Sequence, residues 1–129
     1  VYLAPGGAHL RVARDDDGRP VCALEADDRT PGARPSADRL LASVAATFGP
    51  AACAVVLTGM GRDGARGAAA VRAAGGAVLV QAPETAVIPG MPEAALAAVP
   101  DAARVPLERL AAAVTDVLAT LGRAAPPAR

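Results

Sequence analysis

The sequence predicts a three-layer α/β fold, and three observations carry that prediction. First, Ala54 to Thr58 is an uncharged run of apolar or β-branched residues, as expected of a strand covered on both faces in the middle of a parallel sheet. Second, this run passes through the glycine-rich turn Gly59-Met60-Gly61-Arg62-Asp63-Gly64 into an alanine-rich helix from Gly64 to Ala74, and a second apolar run, Ala77 to Val80, follows. Strand, helix, strand in that order implies a right-handed parallel crossover. Third, Leu107, Leu110, Ala111, Val114, Val117, Leu118 and Leu121 fall on one stripe of a last helix that starts at Pro106, as core packing requires.

Taken in order, Val1 to Ala4 reads as a strand with no lead-in, which suggests that something precedes it. After the Pro5-Gly6-Gly7 turn, His9 to Ala13 alternates as a half-buried strand does. Asp15 to Gly18 reads as a hairpin tip with Val21 to Glu25 returning antiparallel, and its three acids lack the ligand spacing of a calcium loop. Ala26 to Pro35 is a polar loop. Ser36 then caps a helix through Phe48 that presents Leu40, Leu41, Val44 and Phe48, and Gly49-Pro50 stops it. Capping is sufficient explanation for Ser36, and Ser43 lies mid-helix at a polar register. Gly75-Gly76 ends the next helix, and Gln81 to Pro89 forms a loop at the carboxyl edge of the sheet, with Glu84 and Thr85 able to face a substrate. Gly90-Met91-Pro92 opens a short helix through Val99, with the proline in its first turn. Gly122 closes the last helix, leaving Arg123 to Arg129 as a disordered tail.

Composition removes several function classes. The 129 residues hold one core, formal net charge is zero, and the 13 basic residues, all arginine, form no cluster. Aromatics are 2% of the chain, so platforms for stacking bases are lacking. Nucleic acid is therefore not an expected partner. Neither is the membrane interior, since no apolar run approaches the roughly 20 residues a span needs, and a cytoplasmic location follows. Cys22 and Cys53 read as small buried hydrophobes, and one histidine with no paired thiols makes a metal site unexpected.

Chemistry gathers at Asp63, which stands at the carboxyl end of a buried strand and the start of a helix, where open α/β sheets place functional groups. Three roles compete for it. Asp63 can cap the helix that follows. Alternatively, Gly59-x-Gly61-x-x-Gly64, with Glu84 about 20 residues on, fits a dinucleotide fingerprint; there a fixed carboxylate would repel the pyrophosphate. Or Asp63 is the orienting acid of a nucleophile-His-Asp triad.

Thr58-Gly59-Met60-Gly61-Arg62-Asp63-Gly64 resembles the TGMGxDG signature of the chemotaxis protein-glutamate methylesterases, the CheB family. Three further segments resemble that family in order and spacing. These are Val1-Tyr2-Leu3-Ala4-Pro5-Gly6-Gly7-Ala8-His9-Leu10, Arg34-Pro35-Ser36-Ala37-Asp38, and Gln81 followed by Gly90-Met91-Pro92 and Ala95. The resemblance implies a mostly parallel Rossmann-like sheet with an antiparallel hairpin insertion. It also implies hydrolysis of glutamate γ-methyl esters on the cytoplasmic helices of chemoreceptors, with glutamine deamidation as a second activity, and no cofactor. Carried over by residue, it makes Asp63 the triad acid and the Met60 backbone N–H an oxyanion donor, with Thr58, Gly59 and Gly61 shaping the turn. His9 does not occupy the position of the family's catalytic histidine.

The family's nucleophilic serine, in a G-A-S-x-G-G turn, and its histidine belong to segments absent here, and its receiver domain is absent too. The chain's own Ser36, Ser43 and His9 assemble no convincing triad. Residues 1–122 are thus expected to be the carboxyl-terminal two-thirds of such a catalytic domain. Three functions follow: part of a methylesterase that is active once the serine and histidine segments are supplied, an inactive remnant that binds a receptor or partner, or a nucleotide-binding domain.

Overall fold

The computed structural model describes residues 1–26 and 31–124. Two strands, β1 (His9–Arg14) and β2 (Pro20–Glu25), form an antiparallel hairpin. Its tip is closed by Asp15, whose Oδ1 accepts the N–H groups of Asp17 and Arg19. Helix α1 (Ala37–Phe48) follows, with Ser36 at its cap accepting the Arg39 N–H. Ser43 ties this helix to the hairpin: its hydroxyl accepts the Val12 N–H at 2.9 Å and donates to the Leu40 carbonyl.

The second unit is a parallel sheet in the order β3 (Cys53–Val56), β4 (Ala77–Gln81), β5 (Ala103–Val105). Helices α2 (Ala65–Ala73), α3 (Gly90–Ala98) and α4 (Leu110–Ala124) connect and flank these strands. The α/β class, the parallel pairing of β3 with β4 and the antiparallel hairpin all stand as expected from the sequence.

The core is built from small residues, with Ala45, Ala52, Ala54, Ala68, Ala95, Val56, Val71, Val78, Val80 and Val99 forming one buried cluster. Small side chains let α1 and α2 approach closely. A Cβ on Gly67 would lie 2.6 Å from the Leu41 Cβ and 3.0 Å from the Asp38 backbone, so only glycine fits between the helices.

Several elements differ from their expectation for one physical reason, the lack of a neighbour. Val1 to Ala4 forms no strand and is largely exposed, because extended backbone needs a partner for its hydrogen bonds and none of the described residues supplies one. The central strand of the prediction is an edge strand among the described residues, pairing with β4 on one side; separately, Val55 and Leu57, which share one face, are exposed at 36% and 45% while Ala54 and Val56 on the other are buried. Among the described side chains of α4 only Leu110 is fully buried, while Leu118, and Leu107 in the turn just before the helix, are exposed, so the apolar stripe is only partly covered. That helix also runs through Gly122 to Ala124; the rest of the expected tail, 125–129, lies outside the described residues. Cys22 is exposed on the two-stranded ribbon, whereas Cys53 is half-buried and its burial pushes the thiol up. Phe48 is likewise exposed, and Ala45 takes the deepest place on α1.

Candidate functional site

The turn after β3 is fixed from three sides. Gln81, 1% exposed at the end of β4, accepts the Thr58 N–H on its Oε1 at 2.8 Å and donates from Nε2 to the Thr85 carbonyl. The Thr58 hydroxyl both accepts the Ile88 N–H and donates to the Ile88 carbonyl. Gly59 donates its N–H to the Ile88 carbonyl and accepts the Met91 N–H at the start of α3, both at 2.9 Å. Met91 lies against Gly59 so closely that a Cβ there would stand 2.3 Å from its Sδ. Between these anchors, the Met60 N–H donates to no acceptor among the described residues, and the side chain is exposed. A rigid turn that presents a free backbone donor is what an oxyanion site requires.

Asp63 does not cap the helix beside it. Gly64 holds the cap position of α2 in a left-handed conformation with no side-chain cap bond. The Asp63 carboxylate reaches across to α1 instead: Oδ1 accepts the Ser36 hydroxyl and the Asp38 N–H, both at 2.9 Å, and Oδ2 accepts the Ala37 N–H at 2.7 Å. Asp38 returns the favour to α2, its Oδ1 accepting the Gly64 and Gly67 N–H groups at 2.9 and 2.8 Å. Each helix is therefore capped by an aspartate from the other's amino terminus, which satisfies orphan donors at both ends and fits the positive end of each helix dipole. Burial pushes the Asp38 carboxyl up. The Gly67 N–H, the Arg66 guanidinium at 3.0 Å and the Gly64 N–H together outweigh it and hold Asp38 below the usual carboxylate range.

These groups line a cleft of about 600 Å³ that includes His9, Ser36, Asp38, Arg39, Met60 and Asp63. Sequence reasoning placed Asp63 and the Thr58 to Gly61 turn correctly at the carboxyl edge of β3. It missed Asp38 and Gln81 as the side chains that hold this region. A serine, the histidine and Asp63 do come together, but not as a triad. Ser36 donates to Asp63 rather than to an imidazole, and the buried His9 uses Nδ1 to accept the Ser36 backbone N–H at 3.2 Å. Glu84 is exposed, while Thr85 is held by Ala82, Gln81 and Leu107 and serves the loop. The dinucleotide reading loses its ground here, because the amino terminus of α2 that would receive a pyrophosphate is already filled by the Asp38 carboxylate.

A family model described as CheB methylesterase matches residues 1–114. The chain belongs to the CheB methylesterase family. A protein-glutamate methylesterase/protein-glutamine glutaminase of Anaeromyxobacter dehalogenans is 53% identical over 96 residues, which are 72% of this chain and 27% of that protein. Protein-glutamate methylesterase FrzG of Myxococcus xanthus is 43% identical over 114 residues, 88% of this chain and 33% of that protein. The CheB methylesterase catalytic domain of Thermotoga maritima superposes with a TM-score of 0.78 at 30% identity, covering 96% of this chain and 61% of that one. This CheB-family chain thus spans about a quarter to a third of the length of these two relatives.

Proposed function

We propose that this chain supplies the acid and oxyanion parts of a protein-glutamate methylesterase catalytic domain, residues 1–122 being its carboxyl-terminal portion. The serine and histidine come from a segment upstream in the same polypeptide. The observation that carries this reading is the state of Asp63. A carboxylate offers about four acceptor sites; two on Oδ1 and one on Oδ2 are taken by α1, and the fourth, on Oδ2, remains for an imidazole N–H. Three donors clamp the group in one orientation, as an acid that must hold a single histidine tautomer needs. The edge of β3 left unpaired among the described residues supports a seat for upstream strands, and the exposed face carrying Val55 and Leu57 supports a further layer packed on it.

In the mechanism that follows, the histidine takes the serine proton as the hydroxyl attacks the ester carbonyl, and Asp63 stabilises the resulting imidazolium. The Met60 N–H receives the oxyanion. Collapse expels methanol and leaves an acyl-enzyme, and a water activated by the same histidine releases the glutamate. The substrates in this reading are methylated cytoplasmic helices of chemoreceptors, and a receiver domain is the regulatory partner in the longer gene product. Release of labelled methanol from a methylated receptor tests this. The complete domain is expected to be active and residues 1–129 alone silent. Silence of the complete domain would leave only a receptor-binding role.

A further inference from the structure

One charge lining the cleft has no side-chain partner among the described residues. Of the three arginines among the described residues that line it, Arg39 pairs with Glu25 at 3.3 Å and Arg66 with Asp38 at 3.0 Å. Arg62 is exposed, and among the described residues its side chain makes no hydrogen bond or ion pair; only its backbone carbonyl is engaged, accepting the Ala65 N–H. It nevertheless stands next to Asp63 in the chain and two residues from the Met60 N–H, so an uncompensated cation sits on the rim between the two groups the reaction uses. Asp63 cannot neutralise it, since that carboxylate is turned into the amino terminus of α1.

We propose that Arg62 is a specificity-determining residue that receives a carboxylate flanking the scissile ester, so that the favoured substrates are glutamyl methyl esters within acidic segments. This rests on the methylesterase reading. The ester itself is neutral and gives a guanidinium nothing to pair with, so the anion must come from a neighbouring side chain of the substrate. On a helical substrate, side chains three and four residues from the ester have Cβ atoms about 5–6 Å away, within the reach of an arginine anchored beside Asp63. The planar guanidinium fork matches a carboxylate in two parallel hydrogen bonds, which a lysine would do less well.

The test uses the complete catalytic domain and two helical peptides, each with one glutamyl methyl ester, carrying either Glu or Gln three and four residues to each side. The wild type should favour the acidic peptide in kcat/KM by about three- to five-fold, the range expected of an exposed ion pair. The preference should lie in KM and shrink as salt is raised. R62Q should bring the ratio close to 1, R62E should invert it, and R62K should retain part of it. The inference is overturned if the wild type shows no preference, if R62Q keeps the ratio, or if R62Q lowers kcat equally on both peptides. Failure of the wild type to hydrolyse either peptide would instead bring down the methylesterase reading itself.

Discussion

Replacing Asp63 by alanine tests both of its assignments at once, because the structure makes it a helix cap as well as the candidate triad acid. The variant strips three hydrogen bonds from the amino terminus of α1, two of them from backbone N–H groups. Loss of a cap costs about 0.5–2 kcal/mol. The partly buried Ser36 hydroxyl loses its acceptor as well, at about 1 kcal/mol, so the expected destabilisation is about 1.5–3 kcal/mol. With a urea slope of about 2 kcal/mol per M, the unfolding midpoint should fall by roughly 0.75–1.5 M. In the complete domain, turnover per folded molecule should fall by about 10⁴-fold, as loss of a triad acid does elsewhere. That is about 5.5 kcal/mol of barrier, more than the stability term can supply. Asp38→Ala provides the comparison. It uncaps α2 by the same geometry and should cost similar stability, yet turnover of the folded variant should fall by less than about tenfold. If the two variants lowered turnover alike, Asp63 would be acting only through the fold, and the triad argument would be refuted.

Three further outcomes follow from other parts of the molecule. Gly67→Ala should lower stability by about 1–3 kcal/mol in urea melts, because its Cβ would overlap Leu41 and the Asp38 backbone. Asp38 is held below its ordinary range when folded, so its stabilising contribution is complete above the unfolded carboxylate value of about 3.9 and is lost as pH falls through the lower folded value. Thermal melts between pH 5 and roughly 2.5 should therefore show a loss of stability below about pH 4, and Asp38→Asn should remove part of that slope. Exposed Cys22 should react with a thiol reagent faster than half-buried Cys53, whose burial disfavours the thiolate; mass mapping of the first modified peptide reads this directly.

What the sequence made legible was whatever a single element determines for itself. The β3 to α2 turn announced itself through glycines at positions that need them, with Gly61 and Gly64 at φ of 92° and 94°. Ser36 was legible as a cap because an N-cap and its helix are adjacent in sequence. Strand β5 was not, because three residues with an arginine at the centre carry no period to detect. The capping of α1 by Asp63 was also hidden. An aspartate directly before a helix invites assignment to that helix, and only packing of α1 on α2, made close by Gly67, brings the other amino terminus within 3 Å.

That exchange of caps bears on how the site would work. The carboxylate proposed to steady an imidazole is positioned by α1 rather than by its own helix, and α1 is in turn tied to the hairpin through Ser43 and Val12. The Met60 N–H is positioned by a separate set of anchors, Gln81, Ile88 and Met91, on the other side of the turn. The two proposed catalytic functions therefore rest on different supports. Gln81→Leu, which removes the acceptor of the Thr58 N–H and leaves that donor unpaired, should loosen the oxyanion donor while the Asp63 clamp stays intact. The expected signature in the complete domain is a fall in kcat of about ten-fold or more, with no loss of the α1 cap. That cap would be checked by amide exchange at Ala37 and Asp38, which should stay protected in Gln81→Leu and lose protection in Asp63→Ala. Exchange that rose equally in both variants would show that the turn and the clamp move as one unit, and the separation argued from the hydrogen-bond pattern would be wrong.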